Sequence, residues 1–314
     1  MIFLLGASGY VGGAFQRELT RRGLAYRAVS RAELDYTRFR MLVDALKSHR
    51  PRLVIHCGGF TGKPNVDACE TRRTETILGN IVLAQTVAQA CDAAGTRLGA
   101  VSSGCVYTGA KVQDGDNSWA IREDLNAPDL AAPLAARSAK IRGFEESDAP
   151  NFTFENGSSF YSGTKAIAEK VLLDFPSTYV WRLRMPFEER NNPRNYLSKL
   201  QAYPKLYQNW NSLSHLGDFA SACVQIAEAG LPGGAYTVVN PGYVSTHEVV
   251  ALIRKLRRPE WEPAFWRDES EFYQKAALAR RSNCLLSSAK LAAHGIKLRD
   301  LETALADSIR GWTE

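Results

Sequence analysis

Tyr161 and Lys165 stand four positions apart in YSGTK, a spacing that places both side chains on one face of a helix. An ammonium beside a phenol favours the phenolate, so Lys165 is expected to lower the pKa of Tyr161. A tyrosine prepared in this way can give or take a proton at a carbonyl or an alcohol, and the lysine can also bond ribose hydroxyls. Ser103 lies in VSSGCVY, residues 101–107, at the end of an apolar run. If that run is a strand of a parallel sheet, its carboxyl end faces a ligand crevice, and Ser103 is placed to hydrogen-bond the reacting oxygen.

A second group of residues could hold a phosphate. GASGYVGG contains Gly6, Gly9 and Gly12 directly after the apolar run Ile2 to Leu5. In such a turn the first glycine allows the tight bend, the second lets a pyrophosphate approach the backbone, and the third lets the helix pack on the strand. The phosphate then meets free N–H groups at a helix N-terminus. Ser8, Tyr10 and Val11 belong to the same turn. The second apolar run ends at Ser30 and Arg31, where an acid would bind the ribose of NADH and an arginine accommodates the extra phosphate of NADPH. Arg31 favours NADPH, and Asp35 leaves NADH open. Cys57, Gly58 and Gly59, after a third apolar run, and Asn80 on the following helix complete the expected cofactor contacts.

These groups require a scaffold of alternating strands and helices. The spacing predicts strands over 2–5, 24–29, 52–56, 97–102, 179–183 and 235–239. It predicts helices over 10–22, 38–48, 159–174, 216–229, 245–256 and 298–312, with a long helix or helix pair over 66–94. Repeated βα units imply an α/β fold, a Rossmann-type doubly wound parallel sheet. Residues 1–185 and 210–240 are expected to form the NAD(P)-binding domain. Residues 186–209 and 241–314 are expected to form a small C-terminal substrate-binding lobe. The polar, alanine-rich stretch 114–150 reads as an insertion, a helical lid or an oligomer contact.

Composition narrows the classes. Among 314 residues, 45% are hydrophobic and 23% charged, as in an ordinary soluble globular protein that needs no disulfide framework. None of the six cysteines (Cys57, Cys69, Cys91, Cys105, Cys223 and Cys284) is at a C-x-x-C spacing, so no metal site is expected. The net charge of +6 is dispersed, which suits small anionic ligands and not nucleic acid. Apolar runs are too short to span a bilayer, and MIFLLGASG leaves no room for a leader, so a cytoplasmic protein with reduced thiols is expected.

GASGYVG, SSGCVY and YSGTK, in this order, resemble the extended short-chain dehydrogenase/reductase superfamily. The resemblance implies that Ser103, four residues before Tyr107, is the catalytic serine. TGKPNVDACE (residues 61–70), FYSGTKAIAEK (160–170), RLRMP followed by NNPRN, and NPGYVSTHEV (240–249) resemble one branch closely. That branch is the bifunctional 3,5-epimerase/4-reductase that makes nucleotide-linked L-rhamnose from a 4-keto-6-deoxyglucose precursor. The dTDP-4-dehydrorhamnose reductases are similar at greater distance, and GDP-fucose synthases share the nearby cysteine. The branch implies that Cys105 and Lys199 move protons during epimerisation. A free cysteine is otherwise usually a small buried hydrophobe.

The substrate implied is a nucleotide-diphosphate sugar. Thr61, Asn65, Ser103, the pair Arg194 and Asn195, and the pair Arg281 and Asn283 are candidates to hold it. A homodimer is a further expectation from the superfamily. Dehydration is disfavoured, because Gly104 and Cys105 occupy the positions where nucleotide-sugar dehydratases place an Asp-Glu pair. A plain 4-keto reductase remains an alternative, as does a non-catalytic dinucleotide-sensing subunit on the same fold.

Overall fold

A computed structural model of the chain describes residues 1–113 and 117–313. The elements that carry the site are strands β1 (Ile2–Leu5), β2 (Tyr26–Val29), β3 (Leu53–His56), β4 (Arg97–Ser103), β5 (Thr178–Leu183) and β6 (Gly234–Thr237). The helices are α1 (Tyr10–Arg21), α2 (Phe39–His49), α3 (Leu83–Ala93), α4 (Phe160–Leu173), α5 (Tyr196–Ala202), α6 (Leu216–Glu228), α7 (Thr246–Leu256) and α8 (Leu301–Arg310). The strands form one sheet in the order β6-β5-β4-β3-β1-β2, and every neighbouring pair is parallel. The order reverses between β1 and β3, which opens a crevice at their carboxyl ends.

Helices cover both faces. Phe15 and Leu19 of α1 and Phe219 and Val224 of α6 pack with Trp181 on one side. Leu42 and Leu46 of α2, Val87 of α3 and Leu172 of α4 pack with Val180 on the other. With both faces buried, β1 and β3 are apolar or enclosed at every position. A buried ion pair fixes α4 to the sheet. Glu169 accepts from Arg182 of β5 at 2.9 Å and from the Ser102 hydroxyl of β4 at 2.7 Å.

The stretch 66–94, expected as a long helix or a helix pair, divides at Arg72. It becomes Ala68–Thr71, Arg73–Ile77, a wide π turn over Leu78–Val82, and α3. The break at Arg72 has non-helical backbone angles, φ −107° and ψ 57°. The π turn contains Asn80, whose buried carboxamide serves neighbouring elements and not its own helix.

A third core, formed by Phe187, Leu197, Leu200, Val249, Ile253 and Leu305, joins α5, α7 and α8. Helix α7 starts with a reciprocal cap between Ser245 and Glu248. The strand Trp210–Asn211 pairs with Val244–Ser245, and Cys284 and Leu286 lie alongside Gly109 and Phe144.

The stretch expected as an insertion contributes a small antiparallel sheet, with Ala110–Gln113 between Trp119–Arg122 and Ile141–Arg142, and a helix Pro128–Ala135. Leu130 and Leu134 of that helix pack with Trp210 and Leu285. Arg137 lies 4.5 Å from the Tyr243 ring centre and pairs with Glu248 at 3.0 Å. The helix is thus docked on the lobe. Residues 114–116 of this stretch lie outside the described residues.

Candidate active site

The crevice begins at two glycines. Gly6 has φ +77°, and a side chain there would lie 2.9 Å from the Gly58 nitrogen. A side chain at Gly12 would lie 2.2 Å from the Gly6 carbonyl oxygen. The turns after β1 and β3 therefore touch, and α1 is pressed against the end of β1. Its first turn has neither a side-chain cap nor an acidic residue, so its N–H groups face the crevice uncompensated. Ser8 and Gly9 are exposed there, and Tyr10 and Val11 are half-buried.

At the end of β2, Ser30 and Arg31 are exposed. The Ser30 hydroxyl accepts from the Glu33 N–H at 3.2 Å. Asp35 is turned into its own loop, accepting from the Thr37 hydroxyl at 2.5 Å and pairing with Arg38 at 3.2 Å. The neighbouring Tyr36 is buried against the Gly6 backbone; burial raises its phenol, and the Arg31 charge pulls the other way. Beyond β3, Asn80 holds the loop that carries Gly58 and Gly59. Its carboxamide accepts from the Phe60 N–H at 2.8 Å and donates to the Phe60 carbonyl at 3.0 Å and to Thr164 of α4 at 3.2 Å. A side chain at Gly59 would lie 3.7 Å from the Lys165 ammonium. Burial raises the Cys57 thiol.

Ser103, Cys105, Tyr161 and Lys165 come together beside this loop. The Ser103 hydroxyl accepts from the Cys105 N–H at 3.2 Å and hydrogen-bonds the Tyr161 phenol. The expectation that Lys165 lowers Tyr161 is corrected. Burial raises the phenol, Cys105 raises it further, and the Ser103 bond opposes them. A protonated phenol is the form that donates to a carbonyl oxygen. Burial lowers Lys165, against the pull of Cys105 and Glu169. Burial also raises the Cys105 thiol, while hydrogen bonds from Ser103 and Ser162 and the charges of Arg184 and Lys165 favour its ionised form.

Facing this cluster, Arg194 donates to the Thr61 hydroxyl at 2.7 Å, and its charge reaches Tyr161. Lys199, on α5, is lowered by burial and by the charges of Arg194 and Arg281. Other expected contacts are spent within the protein. Asn195 is fully buried; it caps α5 and donates to the carbonyls of Glu188 and Arg190 at 2.8 and 2.7 Å. Arg281 forms a two-pronged pair with Asp67 at 2.7 and 2.8 Å. Asn65 accepts from the Asp67 N–H at 2.8 Å, and Asn283 accepts from Asn211 at 3.3 Å.

Several site neighbours escaped the sequence reading. His56 is buried at the end of β3, its Nδ1 has no hydrogen-bond partner among the described residues, and burial lowers it to about 3. Ser162 and Arg184 act on the Cys105 thiol, and the fold brings them there from distant parts of the sequence. Cys69, buried near Tyr161, sits inside the TGKPNVDACE segment, and that segment was the available signal.

A doubly wound parallel sheet, a glycine cradle at its switch point and a Ser-Tyr-Lys cluster over it define a short-chain dehydrogenase/reductase fold. More narrowly, the chain belongs to the family described as RmlD substrate binding domain, which matches residues 1–313. It is 30% identical over 304 residues to the bifunctional dTDP-4-dehydrorhamnose 3,5-epimerase/dTDP-4-dehydrorhamnose reductase of Arabidopsis thaliana, covering 96% of this chain and 90% of that protein. It is also 30% identical over 308 residues to an Arabidopsis trifunctional UDP-glucose 4,6-dehydratase/UDP-4-keto-6-deoxy-D-glucose 3,5-epimerase/UDP-4-keto-L-rhamnose-reductase. That match covers 96% of this chain but spans only 40% of the relative's length. The fold is shared with the L780 UDP-rhamnose synthase of Acanthamoeba polyphaga mimivirus, at a TM-score of 0.82 and 23% identity over 99% of both chains.

Proposed function

We propose that the chain is an NADPH-dependent reductase of a nucleotide-linked 4-keto-6-deoxyhexose, and that the same pocket first epimerises C3 and C5. The observation that carries this reading is the buried cluster of Ser103, Tyr161, Lys165 and Cys105 beside the glycine cradle. The names of the relatives support the substrate class.

The residues present fit a dinucleotide. Gly6 and Gly12 leave a cradle that side chains would fill, and the open first turn of α1 suits a pyrophosphate. Exposed Arg31, with Asp35 turned into its own loop, favours the 2′-phosphate of NADPH over the NADH ribose. Lys165, beside Gly59, would hold the ribose, and Asn80 fixes the loop that carries Gly58 and Gly59. A dihydronicotinamide bound there supplies a hydride to C4.

Ser103 and Tyr161 hydrogen-bond the C4 oxygen. Tyr161 gives it a proton as the alcohol forms. Before reduction, the hydrogens on C3 and C5 are acidic, because the enolate is shared with the C4 oxygen that Ser103 and Tyr161 stabilise. Cys105 and Lys199 remove and return those protons, and Arg194 holds the diphosphate. A plain reductase is the second reading. Burial raises the Cys105 thiol, which opposes its use as a base.

Incubation with NADPH and the nucleotide 4-keto-6-deoxyglucose in D2O, followed by NMR, separates the two readings. The epimerase/reductase predicts deuterium at C3 and C5 of the product, and loss of that exchange in Cys105→Ser. A wild-type product without deuterium would leave the plain reductase.

A further inference from the structure

The first turn of α4 carries Tyr161, and it is held from outside. The N–H groups of a helix's first turn have no partner within the helix, and such ends open most readily. Ser159 caps the Ser162 N–H at 3.2 Å. The N–H of Phe160, directly before Tyr161, donates to the Glu70 carboxylate at 2.8 Å, across 90 positions of sequence. The Arg73 guanidinium adds a contact 5.2 Å from the Phe160 ring centre.

Three residues before Glu70, Asp67 grips the stretch 278–281, whose Arg280 in turn reaches the carbonyls of Asn156 and Gly157 at 3.1 Å just ahead of α4. Besides its two bonds to Arg281, the Asp67 carboxylate accepts from the N–H groups of Leu278 and Ala279 at 3.2 and 2.9 Å. Between the two acids, Cys69 is fully buried. The short helix Ala68–Thr71 is therefore tied at one end to residues 278–281 and at the other to the catalytic helix.

We propose that Glu70 is a positioning residue that fixes the Tyr161 phenol by pinning the first turn of α4, and that Asp67 anchors this pin to the 278–281 stretch. A carboxylate is suited to the task, since the helix N-terminus is its favourable end. The kinetic consequence rests on the function proposed above; the structural consequence does not.

The test uses the full chain as Glu70→Ala, Glu70→Gln and Asp67→Ala. Steady-state reduction of the nucleotide 4-keto-sugar gives kcat and KM, and amide hydrogen exchange without sugar reports on peptides covering residues 159–164. Glu70→Ala is expected to lower kcat on the order of tenfold with KM nearly unchanged, since the phenol acts in the transition state. It is expected to speed exchange at 159–164 and leave α6 unchanged. Glu70→Gln keeps an oxygen acceptor for the Phe160 N–H and is expected to recover most of both. Asp67→Ala is expected to speed exchange at 159–164 and 276–282 together. The proposal is overturned if Glu70→Ala leaves exchange at 159–164 unchanged, or if Glu70→Gln is as impaired as Glu70→Ala. If the wild type does not reduce the sugar, the functional reading falls, and the exchange data still decide on the pin.

Discussion

Single residues carry the chemistry, and their surroundings set its direction. Burial holds Tyr161 protonated, the form that the proposed reduction requires of it. Tyr161→Phe is expected to lower reduction by about 10²–10⁴-fold while leaving NADPH binding intact, read from absorbance at 340 nm and from cofactor fluorescence. Lys199 is lowered by burial and by Arg194 and Arg281. If Lys199 returns a proton during epimerisation, the exchange rate falls as pH rises through that lowered value. Arg194→Gln removes one repelling charge, so Lys199 holds its proton longer and the falling limb moves to higher pH. Retention of the wild-type limb in Arg194→Gln would dissociate Lys199 from that step. The sequence singled out Tyr161, Lys165 and Ser103 as candidates because each belongs to a short local motif. It did not reveal that Arg281 is spent on Asp67, because 214 positions separate the two. Nor did it reveal the fate of Asn195, whose carboxamide is used up by local backbone groups.

Elements hold these residues by close approach and by buried charge. At the start of α1, Gly12→Ala would drive a methyl to 2.2 Å from the Gly6 carbonyl. Helix and strand would have to separate, at a cost of about 1–3 kcal/mol, with dinucleotide affinity falling at the same time. Calorimetry and titration with NADPH measure the two effects. On α4, Glu169→Gln leaves Arg182 buried, 3% exposed, with its charge uncompensated. The expected loss is about 3–5 kcal/mol, measured by urea unfolding. The helical period predicted α1, α2, α4, α6 and α7 to within a residue or two of their observed ends. Over 66–94 it gave a long helix or a helix pair but not the π turn, where Asn80 is turned toward Phe60 and Thr164, since a tertiary demand of that kind leaves no periodic trace.

At the scale of the whole molecule, bridges at Cys284 and Leu286 tie the late chain to Gly109 and Phe144, and an ion network joins the two helices that cover one face of the sheet. Glu18 on α1 pairs with Arg21 and Arg22, and Arg22 reaches Ser221 and Glu228 on α6. Burial alone would raise Glu18, but these hydrogen bonds outweigh it and hold the carboxyl at about 2. Glu189 is also held at about 2, chiefly by its pairing with His215 at 3.6 Å. Both folded values lie below the ordinary 4.5. Their contribution is therefore complete above that pH and is lost as pH falls toward 2. The melting temperature should drop across that window, and less steeply in Glu18→Gln; identical slopes would count against the network. The doubly wound sheet was legible because βα alternation repeats along the chain. The placement of 114–150 was not, because the helix there packs on Trp210, Tyr243 and Leu285, far away in sequence.

The most direct measurement is NADPH oxidation at 340 nm by the purified chain with UDP- or dTDP-4-keto-6-deoxyglucose, alongside Tyr161→Phe. The expected result is turnover by the wild type to a rhamnose-type product and almost none by the variant, with both proteins binding NADPH. Tight NADPH binding without turnover of either sugar, or equal rates in the two proteins, would contradict the assignment of this cluster as a 4-keto-sugar reductase site.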